Sequence, residues 1–149
     1  MSASARERAL RYLETHSVLT LATHGPEGPW ATAVFYASEG FTLYFLSMPD
    51  SRHGRNIAVH ANVAGAVQED YADWPEIKGI QLEGTAAVLE GAERDAAIRR
   101  YARRFPLIAN PVAEIAGALA RVAWYRLEPA RLYFIDNALG FGHRDEVPL

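Results

Sequence analysis

Phe41-Thr-Leu-Tyr-Phe-Leu-Ser-Met-Pro-Asp-Ser-Arg-His-Gly-Arg-Asn-Ile57 runs from apolar to charged within a few residues. The half from Phe41 to Leu46 reads as a buried strand. It breaks at Pro49-Asp50, where Asp50 or Ser51 makes a good N-cap, so Arg52, His53 and Arg55 fall in the first turns of a short helix. Exposed cations there oppose the helix dipole at a cost of roughly 0.3–1 kcal/mol each. An anion held by the free first-turn N–H groups removes that conflict. The stretch reads as a phosphate site at a strand end. A solvated, charged turn accounts for the same residues, with Asn56 either donating to a ligand or closing the turn.

On the N-terminal side, Ala3–Thr15 has a helical pattern, with Ala9, Leu10 and Leu13 on one face and arginines on the other. Val18–Thr23 reads as a strand, His24-Gly-Pro-Glu-Gly28 as a turn and Pro29–Ala37 as a second strand. Glu39-Gly40 then leads into the strand ending near Ser47. Three strands on short turns predict an antiparallel meander. Beyond the Ser51–His60 helix come strands at Asn62–Gln68 and Lys78–Glu90, and a helix over Glu93–Arg104. Asn110-Pro111 fits an N-cap and first-turn proline of a helix reaching Ala120. A last strand pair, Ala123–Leu127 and Arg131–Asp136, is separated by a break at Glu128-Pro129. The glycine-rich tail Asn137–Arg144 reads as extended. No repeat or linker divides the chain, which predicts one domain over residues 1–149. Six strands with helices at the ends point to a small α+β barrel.

The chain has 149 residues, half of them hydrophobic, and at this size a domain hides roughly 68–70% of its unfolded surface. Fifteen basic against eighteen acidic residues give a net charge of −3, which argues against nucleic acid as the main partner. The absence of cysteine excludes disulfides, thiolate metal sites and cysteine nucleophiles. The charged N-terminus lacks the apolar core of a signal peptide, and no run approaches the ~20 apolar residues that span a bilayer. The expectation is a cytoplasmic protein without membrane partners.

Further residues admit a ligand reading beside ordinary packing, and in the Trp30–Tyr36 strand ordinary packing is the stronger of the two. In the Trp30–Tyr36 strand, Ala31, Thr32 and Ala33 leave backbone amides within reach of a flat ligand. Gln81 shares a face with Glu83, opposite Lys78, Ile80, Leu82 and Gly84, and could hydrogen-bond a heterocycle edge. Arg99, Arg100, Arg103 and Arg104 sit where a helix C-terminus favours cations, which favours a structural role. The five histidines form no convincing metal site. No P-loop, dinucleotide fingerprint or nucleophile elbow is present.

The order of these elements, with Ser51-Arg52-His53-Gly54-Arg55-Asn56 after the third strand, resembles the pyridoxamine-5′-phosphate-oxidase-like FMN-binding split barrels. Gly79-Ile80-Gln81-Leu82-Glu83-Gly84, Arg103-Arg104-Phe105-Pro106 and Asp136-Asn137-Ala138-Leu139-Gly140-Phe141-Gly142 resemble a short, uncharacterised bacterial branch of that family. The resemblance implies a six-stranded antiparallel split β-barrel with peripheral helices, and a homodimer holding FMN at its interface. It places the phosphate on Ser51, Arg52, His53 and Arg55, the ring along Thr32, Ala33, Val34 and Phe35, and Gln81 on the ring's other side. The activity implied is flavin-dependent oxidoreduction of a small substrate or NAD(P)H, with non-catalytic flavin or haem binding as the alternative. The ending Gly142-His143-Arg144-Asp145 departs from the substrate clamp of true pyridoxamine-phosphate oxidases, which sets vitamin B6 oxidation aside.

Overall fold

A computed structural model describes residues 2–149. Strand alternation sets the layers. In β1 (Val18–Gly25), Leu19, Leu21 and Thr23 are buried while Val18, Ala22 and His24 are exposed. The chain continues through β2 (Gly28–Phe35), β3 (Ala37–Glu39), β4 (Thr42–Ser47), β5 (Asn62–Gln68), β6 (Lys78–Val88), β7 (Ala123–Asp136) and β8 (Arg144–Glu146). The helices are α1 (Ala5–Thr15), α2 (Arg52–Val59), α3 (Gly91–Arg104) and α4 (Ala113–Leu119).

All strands pair antiparallel in the order β2-β1-β5-β6-β7-β4-β3, with β8 added to β7. Because β3 continues β2 past Tyr36, both edges of the sheet belong to one bent strand, and the sheet curls into a split barrel. Tyr36 is fully buried at the bend. Its hydroxyl donates to the Leu13 carbonyl at 2.8 Å and its amide to the Ser17 carbonyl at 3.0 Å. Leu21, Leu43, Phe45, Ile80, Leu127 and Leu132 fill the interior, and α1 adds Ala9 and Leu13. A second cluster forms where Ala97 and Tyr101 of α3 meet Ala37, Leu89 and Trp124.

The predicted α+β split barrel is what forms, with eight strands in place of six. The Pro29–Ala37 strand divides at Tyr36, and Arg144–Glu146 adds a short edge strand. The predicted meander does not form, since β4 ladders with β7 and the short β3 instead of β2. The break expected at Glu128-Pro129 is also absent. β7 runs through it because β6 shifts register between Glu83 and Gly84, and a Cβ on Gly84 would lie 2.1 Å from the Glu128 carbonyl oxygen. α4 opens at Val112, which gives no side-chain cap, so Asn110 is not its N-cap. The tail is turned, not extended. Asn137–Leu139 forms a 3₁₀ turn, and the Gly142 amide at φ 73° donates to the Asn137 side chain at 3.1 Å. Arg104 accounts for part of the arginine run. Its guanidinium donates to the carbonyls of Leu13 (3.4 Å), Glu14 (3.2 Å) and His16, capping the negative end of α1. Among the described residues no helix is long and apolar enough to cross a membrane.

Candidate functional site

The start of α2 is built by local chemistry. Ser51 is its N-cap, accepting from the Gly54 amide at 3.1 Å and donating to the Met48 carbonyl at 2.7 Å. A Cβ on Gly54 would lie 2.8 Å from both the Met48 and Pro49 carbonyl oxygens, so glycine lets this turn fold against the strand end. Ser47, the buried last residue of β4, contacts the His53 ring through its hydroxyl and Nε2. The two serine hydroxyls are 3.3 Å apart, and Ser51 Oγ is 3.4 Å from the same His53 nitrogen. Burial pushes the His53 imidazole below its ordinary value, which favours the neutral ring.

Arg52 lies beside this cluster. Its guanidinium stacks 4.3 Å above the Trp30 ring and donates to the Glu27 carbonyl at 3.2 Å. Its Nε is buried without a hydrogen-bond partner, and the exposed Glu27 carboxylate is 3.9 Å away. Arg55 turns back to donate to the Asp50 carbonyl at 2.6 Å. Asn56 is buried and donates to Thr23 Oγ1 at 3.0 Å, pinning α2 to β1. A Cβ on Gly25 would strike its side chain, so Asn56 serves packing and not a ligand.

The pleat divides the predicted β2 stretch. Thr32 and Val34 lie opposite Leu21 and Leu19 and share their inward face, whereas Ala33 and Phe35 point outward. β2 is an edge strand, so one row of its N–H and C=O groups lies outside the ladder. Across the outer face, cross-strand partners align Ala33, Thr20, Ala66 and Gln81 in one row and Ala31, Ala22, Ala64 and Glu83 in the next. Gln81 therefore shares a face with Ala33 but lies three strands away, about 14 Å at the usual strand spacing.

The structure thus gathers Ser51 and His53 into one corner with Ser47, sets Arg52 against its rim, and leaves Gln81 apart. Ser47 and Trp30 were not among the predicted contacts. Ser47 had one signal: it is a hydroxyl at the core-facing parity of Leu43 and Phe45. The donor set comprises two hydroxyls, a neutral imidazole, a guanidinium with an unpartnered Nε, and the Arg52 and His53 amides, which lack intrahelical acceptors. Such a set suits a phosphate monoester. Among the described residues, no three His, Asp or Glu side chains are grouped to hold a metal ion.

This curled barrel, with a donor-rich corner at a strand end, defines the class of split-barrel proteins. The profile described as pyridoxamine 5′-phosphate oxidase matches residues 5–136, and the chain belongs to that family. A UPF0306 protein of Enterobacter sp. (strain 638) is 33% identical over 136 residues, covering 90% of this chain and 89% of its own. Among solved structures, a heme binding protein from Mycobacterium smegmatis superposes with a TM-score of 0.79 at 26% identity. That match covers 99% of this chain, which spans 59% of the mycobacterial one. A FAD-binding protein from Mesorhizobium loti gives 0.66 at 19% identity, covering 90% of this chain and 94% of its own.

Proposed function

We propose that the protein is an FMN-dependent oxidoreductase working as a homodimer, with a small substrate or NAD(P)H as hydride partner. The observation that carries this reading is the Ser47–Ser51–His53 corner with Arg52 at its rim, in a chain of this family. When bound, FMN supplies hydride chemistry at its N5. Ser47 donates its hydroxyl proton to the phosphate, Ser51 turns its own from the Met48 carbonyl to do the same, and the Arg52 guanidinium turns from the Glu27 carbonyl to neutralise the charge. Bonds of this charge-assisted kind contribute roughly 1.5–3 kcal/mol each. Backbone groups of Thr32–Phe35, outside the β1 ladder, read the polar edge of the ring. Gln81, too distant within one copy, reaches a ligand on β2 only across an interface between copies.

The test is fluorescence titration with FMN and with riboflavin, which lacks the phosphate. Ser51→Ala with Arg52→Ala weakens FMN binding at least tenfold, about 1.4 kcal/mol, and leaves riboflavin affinity unchanged. Equal FMN affinity in wild type and variant removes the phosphate assignment.

One observation favours a second reading, haem binding. His143 Nε2 lies 3.0 Å from Asp145, which also pairs with Arg8 at 3.3 Å, and a carboxylate on an imidazole orients it as a metal ligand. The heme binding mycobacterial structure supports weighing it. The absorption spectrum of the isolated protein separates the readings: a Soret band means haem, a flavin envelope means FMN or FAD.

A further inference from the structure

A cavity of about 430 Å³ lies between α3 and the β3–β4 edge, floored by Ala97 and Tyr44 and walled by arginines and glutamates. Both glutamates are occupied: Glu39 pairs with Arg100 at 3.1 Å, and Glu93 pairs with Arg126. Arg99 and Arg103 also line the cavity and form no ion pair among the described residues. They stand at i and i+4, where like charges on one helix repel. The helix dipole accounts for Arg103 and Arg104 in the last turn, but Arg99 lies upstream of it. Arg104 is committed to capping α1, as described above. Arg99 and Arg103 therefore stand exposed over the cavity without a carboxylate partner among the described residues. Tyr44 adds a hydroxyl that burial, and then the Glu39 charge, keep protonated and able to donate.

We propose that this cavity is a second anion site, taking a small ligand of the phosphate-ester or pyrophosphate class. Guanidinium forks match phosphate oxygens bidentately, and the Arg100–Glu39 pair holds one wall in place. The site is separate from the Ser51 corner. Tyr44 points to the outer face of β4, whereas Ser47 points inward about 10 Å further along the strand. The inference does not depend on the flavin reading.

Calorimetric titration of the full chain with inorganic pyrophosphate, in chloride buffer, tests it. Wild type binds, Arg99→Gln with Arg103→Gln binds at least tenfold more weakly, and Tyr44→Phe binds a few-fold more weakly. Ser51→Ala with Arg52→Ala, which removes phosphate donors of the other corner, keeps the binding that the Arg99/Arg103 variant loses. Both arginines are exposed, so equal melting temperatures confirm that the double variant is folded. No binding by the wild type overturns the proposal, as does unchanged affinity in the Arg99/Arg103 variant. Loss of binding only in the Ser51/Arg52 variant assigns the ion to the other corner and overturns it too.

Discussion

His53 shows how much one side chain owes to its neighbours. A cap at Asp50 or Ser51 could be read because capping is settled within three residues, and the structure assigns it to Ser51. The contacts of His53 with Ser47, and of Arg52 with Trp30, join different elements and leave no trace in local spacing. Ser47 and Ser51 offer the ring no charge to stabilise a proton, and burial lowers its proton affinity from the ordinary 6.5. The sign follows. Below 6.5 the unfolded chain takes up a proton that the folded chain resists. This contribution to stability is whole above that pH, shrinks as pH falls toward the lowered folded value, and is flat below it. Urea denaturation across about pH 5 to 8 shows a slope in this acid window that His53→Gln reduces. Identical slopes in the two proteins mean that the ring does not resist protonation.

For the elements, the informative pair is Gly84 against Glu128-Pro129. Proline in a strand signals a break, since it cannot donate to a ladder. β7 avoids the break because β6 shifts register at Gly84, where the missing Cβ admits the opposing backbone. Cross-strand accommodation of this kind is invisible when either strand is read alone. Gly84→Ala would drive a methyl group into the Glu128 carbonyl, backbone that cannot swing aside as a side chain does. The expected loss is about 2 kcal/mol, within the range for overpacking, measured by equilibrium denaturation. Unchanged stability would mean that the bulge relaxes freely.

Taken as one body, the barrel leaves a low-relief outer face across β2, β1, β5 and β6. Ala22, Ala31, Ala33 and Ala64 are exposed there, with Phe35 at 57% and Val18 at 43% exposure on the first pair of strands. Small side chains let two backbones approach closely, and the exposed apolar rim adds burial on association. Light scattering at micromolar concentration is expected to report a dimer. Ala33→Arg, which sets a charge in the middle of that face, is expected to yield a monomer with an intact fold. A wild-type monomer would leave Gln81 without a route to any ligand on β2.

Alternating burial, a helix cap at Asp50 or Ser51 and the glycine turns could be derived from residue order, because each rests on interactions among near neighbours in the chain, and the succession of strands and helices points to the α+β class. Which strands pair could not be derived this way. β4 lies against β7 because the chain bends at the buried Tyr36 and the sheet closes through β3, a consequence of packing between segments far apart in sequence. The same closure decides which side of β2 faces outward, brings Ser47 onto His53, and strands Gln81 three strands away. Those placements come from filling one interior, and no local pattern encodes them.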